Sequence, residues 1–229
     1  MLEVIPNMHE EMHLSGIPVE GDPEKNLCWS AYKMIQKRHG IPSTYMHLMK
    51  LIPMGAGLGG GSSDAAQVLK ALNDLYNLGL SNKTLEEYAA ELGSDCPFFI
   101  EEVPQIARGR GEILGPIKLD LNGYFIKIIN PGIHVGTAEA YAGVVPDNNV
   151  PAVEDVINQP IETWKSDLIN DFEYSVFKKY PEIAGIKEKL YTEGAVYAAM
   201  SGSGSTVFGI YAKKPTFTFD AYFERILQL

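Results

Sequence analysis

The stretch Pro53-Met54-Gly55-Ala56-Gly57-Leu58-Gly59-Gly60-Gly61-Ser62-Ser63-Asp64-Ala65-Ala66 places five glycines in seven positions, between a strand pattern and a helix pattern. Each glycine in regular structure costs about 0.5–1 kcal/mol relative to alanine, so this density requires a reason. The strongest reason is close approach of the backbone to an anion. Successive amides then point inward, and the N-terminus of the following helix adds partial positive charge. Ser62 and Ser63 supply hydroxyls for a phosphate or for its metal. The plainer alternative is a tight turn with no ligand. A P-loop is excluded, because no lysine follows these glycines. Gly55-x-Gly57-x-x-Gly60 satisfies the dinucleotide fingerprint, but Asp74 comes too early for a ribose contact and lies in the helix.

Composition narrows the setting. The 229 residues (25.2 kDa) are 45% apolar and 21% charged, which excludes wholesale disorder. No apolar run is long enough to cross a bilayer. The formal charge of −10 disfavours nucleic acid as a partner, while a local pocket can still take a small phosphorylated ligand. Cys28 and Cys96 form neither a disulfide framework nor a metal spacing. His9, His13, His39, His47 and His134 lack ligand spacing, so no metal site is expected. These features, with no secretory start, predict a soluble cytoplasmic protein.

Periodicity predicts strands at 2–5, 12–14, 45–51, 124–129, 195–200 and 206–211. Asp22-Pro23-Glu24 opens a helix that carries Leu27, Ala31, Met34 and Ile35 and stops at Gly40. Helices are also expected over Ala65–Tyr76, after Ser81, at 161–178 and at 182–192. Ser81 is expected as a cap, with Leu80 and Leu85 as a hydrophobic staple and Gly93 left-handed beyond the helix end. Strands in separate clusters, with helices between them, predict an α+β fold.

Other segments carry candidate chemistry. In Gly93-Ser94-Asp95-Cys96-Pro97-Phe98-Phe99, Asp95 is either the cap of a turn or a carboxylate available to a reacting group. Ala107-Arg108-Gly109-Arg110-Gly111-Glu112 reads as a hairpin turn. Gly202-Ser203-Gly204 lies in a glycine–serine turn that lacks the Gly-x-Ser-x-Gly spacing of a hydrolase. Tyr141 is either a stacking face or half-buried packing.

The glycine loop resembles the phosphate-wrapping motif of the GHMP kinase superfamily. The triple glycine followed by Ser62-Ser63-Asp64-Ala65-Ala66 is similar to its 4-diphosphocytidyl-2-C-methyl-D-erythritol kinase branch, of the non-mevalonate isoprenoid pathway. The segments at 93–99, 107–112, 130–141 and 200–208 are similar to later motifs of that branch, in order. The resemblance implies two lobes, over 1–121 and 122–229. The first is ribosomal S5-like with a left-handed βαβ element, and the second is ferredoxin-like. It implies ATP and Mg2+, and a small-molecule acceptor that is a cytidine-diphosphate alcohol, phosphorylated on its 2-hydroxyl. Residues 53–63 would bind ATP, Asp95 would be catalytic, Thr137 and Tyr141 would border the acceptor, and Gly202, Ser203 and Gly204 would close the site. Asn26-Leu27, in a segment where the family contacts the nucleotide, and Lys50, three residues before Pro53, match the family more weakly, and each reads equally as an exposed helix or strand residue.

The branch's opening Pro-Ala-Lys-x-Asn-Leu strand and its Gly-Tyr-His segment have no counterpart here. The resemblance therefore implies a fold incomplete at its start, and predicts a chain less stable and less active than a full member. Homoserine or phosphomevalonate kinase activity, or a catalytically silent nucleotide-binding module, remains open at this point. A NAD-dependent enzyme is a more distant alternative.

Overall fold

A computed structural model describes residues 1–19, 21–144, 150–219 and 223–229, and divides them into two compact units. The first comprises Met1–Met54 and Gly59–Ile117; the second comprises Gly55–Leu58 and Lys118–Leu229.

In the first unit β1 (Leu2–Pro6) and β2 (Glu11–Gly16) flank β3 (Thr44–Lys50) in the order β1-β3-β2. β1 runs antiparallel to β3, whereas β2 runs parallel to it. A parallel neighbour needs a crossover, and helix α1 (Leu27–His39) supplies it. Alternation along β3 decides which face is covered. Thr44, Met46, Leu48 and Lys50 are buried, while Met49 is exposed. Helix α2 (Gly60–Leu75) lays Ala65, Val68, Leu69 and Leu72 on that face, beside Ala31, Tyr32 and Ile35 of α1. Helix α3 (Asn82–Leu92) adds Leu85 and Ala89. The hairpin of β4 (Gln105–Arg108) and β5 (Ile113–Pro116) turns through 109–112, as the glycines there predict.

The second unit is built on a four-stranded antiparallel sheet of β6 (Phe125–Asn130), β7 (Tyr197–Met200), β8 (Val207–Tyr211) and β9 (Phe223–Gln228). Its order is β7-β8-β6-β9. Numbered within the unit, that is the 4-1-3-2 arrangement of a ferredoxin-like sheet, read from β9. Helices α4 (Thr137–Ala142), α5 (Val153–Ile157), α6 (Trp164–Asp167), α7 (Phe172–Lys179) and α8 (Pro181–Thr192) all fall between β6 and β7. Both sheet faces are covered. Ala198, Met200, Val207 and Tyr211 pack with Ile183, Ile186 and Leu190 of α8. On the other face Tyr197, Ala199 and Ile210 pack with Val156, Ile161 and Trp164.

Local expectations fare unevenly. Ser81 caps α3 by accepting from the Thr84 amide at 3.2 Å, and Gly40 ends α1 in the left-handed region at φ 64°. Gly93 does not: its φ of 177° is extended backbone, so no left-handed cap follows α3. Asp22 caps only a single 3-10 turn, Pro23–Lys25, and Asn26 starts α1 by accepting from the Cys28 amide at 2.9 Å. The helix expected at 161–178 is broken. Asn170 between α6 and α7 accepts from the Phe172 amide at 3.0 Å, a side-chain bond that competes with continued helix.

Candidate active site

The glycine-rich stretch is shorter as a loop than its composition suggests, because α2 already begins at Gly60. Gly59 precedes it in the left-handed region, and no side chain caps the helix. Ser63 is the first residue whose amide reaches back, to the Gly59 carbonyl at 2.9 Å. The amides of Gly60, Gly61 and Ser62 therefore have no partner within the helix and lie at its positive end. Ser62 and Ser63 stand half-buried on the same turn.

Why glycine is needed differs along the loop. A Cβ on Gly59 would lie 2.6 Å from the Phe99 ring, and one on Gly60 would press on Ile52 and the Lys50 ammonium. Gly61 has neither constraint: the Met54 side chain, 3.7 Å away, is its nearest neighbour. Protein packing thus explains Gly59 and Gly60 but leaves Gly61 unexplained.

Asp95 sits after α3 in the same unit, exposed, accepting from the Ser94 hydroxyl at 3.1 Å. Its neighbour Cys96 ties it to the helix start. Burial pushes the Cys96 thiol up, the Ser62 hydroxyl beside it opposes the shift, and the Asp95 charge adds to it. Gly111, in the β4–β5 turn, lies against Asp95, where a Cβ would stand 3.2 Å from Oδ1. The first unit therefore gathers unpaired helix amides, two serine hydroxyls and a solvent-facing carboxylate.

Beside them is a cavity of about 90 Å³ lined by Asn26, Leu27, Cys28, Leu48, Lys50, Met54, Gly61 and Asp64, among others. Lys50 is 2% exposed and pairs with Asp64. Burial, reinforced by the Asp64 charge and opposed by Lys50, raises the Cys28 thiol to about 12. Asn26 and Lys50 are weak matches in sequence; here they line one cavity. Sequence reasoning gives neither Cys28 nor Asp64 a role. Asp64 stands in the 62–66 string that carries the resemblance, while Cys28, on the first turn of α1, has no signal beyond its place beside Asn26-Leu27.

In the second unit, residues 55–58 rest on the turn that joins β7 to β8. The Ser201 hydroxyl donates to the Gly57 carbonyl at 2.8 Å, and the Thr206 amide donates to Ala56 at 3.2 Å. Gly57 permits this approach: at φ 74°, a Cβ there would lie 2.1 Å from the Ser201 carbonyl. Asn170 holds the turn from below, donating to the Met200 and Gly202 carbonyls at 2.7 and 2.8 Å. Gly202 and Gly204 are both left-handed, and Ser203 between them is half-buried. Thr137 opens α4, exposed; Tyr141, on the same helix, is 64% exposed and meets the Phe172 ring edge-on at 4.9 Å. Among the described residues, no group of three or more His, Cys, Asp or Glu side chains could hold a metal.

Residues 26–102 match the model of the GHMP kinases N terminal domain, and residues 152–217 that of the GHMP kinases C terminal. A 4-diphosphocytidyl-2-C-methyl-D-erythritol kinase of Cytophaga hutchinsonii is 48% identical over 216 residues, covering 94% of this chain and 80% of that protein. Its namesake in Bacteroides thetaiotaomicron is 49% identical over 205 residues, 90% of this chain and 75% of that one. A crystal structure of 4-(cytidine 5'-diphospho)-2C-methyl-D-erythritol kinase superposes with a TM-score of 0.74 at 33% identity, covering 91% of this chain and 75% of that one. A homoserine kinase from Cytophaga hutchinsonii, at 15% identity and a TM-score of 0.71 over 99% of this chain and 83% of its own, shares the fold. With both family models matched in order and relatives nearly half identical over most of their length, this chain belongs to the GHMP kinases.

Proposed function

We propose that this chain transfers the γ-phosphoryl group of Mg-ATP to the 2-hydroxyl of 4-diphosphocytidyl-2-C-methyl-D-erythritol, a step of the non-mevalonate isoprenoid pathway. The acceptor rests on relatives of that name at 39–49% identity. The observation that carries the chemistry is the start of α2, where the amides of residues 60–62 have no partner within the helix and Ser62 stands beside Cys96, the residue that follows Asp95.

The residues divide the work as follows. The backbone of Pro53, Met54, Gly55, Ala56, Gly57, Leu58, Gly59, Gly60 and Gly61, with the hydroxyls of Ser62 and Ser63, holds the phosphate chain of ATP. The cavity beside Gly61 takes the nucleotide base, with Asn26, Lys50 and Asp64 among its polar groups. Asp95 accepts the proton of the acceptor hydroxyl as that oxygen bonds to the γ-phosphorus and the bond to ADP breaks. Thr137 and Tyr141 border the acceptor, and Tyr141's exposed ring suits stacking on cytosine, worth about 1–3 kcal/mol. The turn of Gly202, Ser203 and Gly204 supports residues 55–58. The serine hydroxyls at 62 and 63 are oxygen donors of the kind Mg2+ accepts alongside phosphates, and the ion would neutralise developing charge. A cytoplasmic location goes with the free thiols Cys28 and Cys96.

The test is ADP release with Mg-ATP and, in parallel, 4-diphosphocytidyl-methylerythritol, homoserine and phosphomevalonate. Turnover with the cytidine alcohol alone is expected. Turnover with homoserine or phosphomevalonate instead would replace this acceptor, and ATP binding without turnover on any of them would leave a silent nucleotide-binding module.

A further inference from the structure

The loop at 53–61 contains no cationic side chain, and the chain as a whole carries −10. The ammonium beside it, that of Lys50 next to Gly60, is already paired with Asp64. Residues 55–58 belong to the second unit, and one side chain of that unit offers them a further hydrogen-bond donor. The imidazole of His134 lies against Gly55, so close that a Cβ on Gly55 would be 3.3 Å from both Cε1 and Nδ1. Gly55 is left-handed at φ 62°.

His134 is exposed, yet its place in the chain is tightly held. Asn130, on its N-terminal side, accepts from the Gly132 amide and donates to Thr206 Oγ1, both at 2.9 Å. The Ser205 hydroxyl donates to the Ile133 carbonyl, and Val135 is buried. The turn at 131–135 is thereby fastened to the same 201–206 turn that carries residues 55–58. Both parts share one support, which keeps the ring in register with the loop. The charged group that faces His134 is Glu139 of α4. Its carboxyl is held below the usual range, chiefly by Lys179, with smaller contributions from Tyr180 and His134. Lys179 already neutralises much of Glu139, so the imidazole keeps donor capacity for another anion.

We propose that His134 binds the phosphate chain of the nucleotide, donating a hydrogen bond from its ring to a phosphate oxygen held at Gly55. This deepens the kinase reading and rests on it. It assigns to an imidazole the part that a loop lysine plays in other phosphate loops. It also makes the contribution depend on phosphate number: ATP and ADP feel it, while AMP or adenosine feels it less.

The experiment measures ATP, ADP and AMP affinities by titration calorimetry for the wild-type chain, His134→Gln and His134→Lys, with thermal unfolding as a control. A lost charge-assisted hydrogen bond predicts about a tenfold weaker ATP affinity in His134→Gln, with AMP unchanged within about twofold. His134→Lys is expected to restore most of the ATP affinity. Equal loss for ATP and AMP, or ATP binding in His134→Gln within about twofold of wild type, would overturn the assignment. The first would make His134 mere packing for Gly55. Absence of ATP binding by the wild-type chain would instead overturn the nucleotide reading itself, so the two failures are distinguishable.

Discussion

Gly61→Ala is expected to separate stability from function in opposite directions. Gly61 is the second residue of α2, outside the positive-φ region, and the nearest atom a new methyl would meet is Met54 Cε at 3.7 Å. That is ordinary contact with the far end of a flexible side chain, so no strain opposes the substitution. Alanine is the better helix former, and near a helix start the gain is about 0.5 kcal/mol. For a chain of this size that raises Tm by about 1–2 °C. The same methyl stands among the free amides of residues 60–62 and at the wall of the cavity beside Lys50. A phosphate that approaches those amides would be pushed outward, and a loss of at least about 1.4 kcal/mol, tenfold in Kd, is expected for ATP. Differential scanning fluorimetry and ATP titration on one preparation read both quantities. A variant that binds ATP within about twofold of wild type would show that Gly61 is not there for phosphate, and would remove the main support for the cradle. A variant that unfolds several degrees lower would contradict the helix start described above. Gly57→Ala is the contrasting control, because its Cβ would collide with the Ser201 carbonyl at 2.1 Å and must destabilise the chain.

Three further outcomes are expected. Asp95→Asn should lower kcat by about a hundredfold or more while the ATP Kd stays within twofold, since a lost proton acceptor affects the chemical step alone; ADP release and calorimetry measure the two. Lys50→Met should cost about 3 kcal/mol by leaving the Asp64 carboxylate unpaired, at the low end for buried pairs because that side chain keeps 23% exposure. Chemical denaturation measures it, and addition of Asp64→Asn should recover part of the loss. Burial raises the Cys28 thiol from 9.0 to about 12 in the folded chain. Between those values the unfolded chain releases a proton that the folded chain retains, so stability is full below pH 9 and declines above it. Thermal unfolding across that window should show a shallower decline in Cys28→Ala, and an unchanged slope would refute the burial argument.

The sequence by itself determines the parts whose physics is local. Five glycines ahead of two serines mark a segment where the backbone must turn sharply or be approached closely, and three of them, Gly55, Gly57 and Gly59, are left-handed. Ser81 and Gly40 cap helices through their own neighbours, and alternation along β3 separates Met46 and Leu48 from His47 and Met49. Asp95 is visible because it stands in a short recognisable string. What tertiary structure decided is which distant groups meet. Asn26, Lys50 and Asp64 line one cavity only because α1 crosses back over β3 to lie beside α2. The glycine at 57 is required by the Ser201 carbonyl, more than a hundred residues away, and His134 meets Gly55 through a shared support at 201–206. The broken helix at 168–171 teaches the same lesson in the other direction. Period described what those residues can do alone, and the Asn170 bonds to the Met200 and Gly202 carbonyls depend on neighbours that no local pattern contains. Local dihedral preference and hydrophobic period travel along the chain and can be read there; contact between remote segments exists only once the core has closed around them.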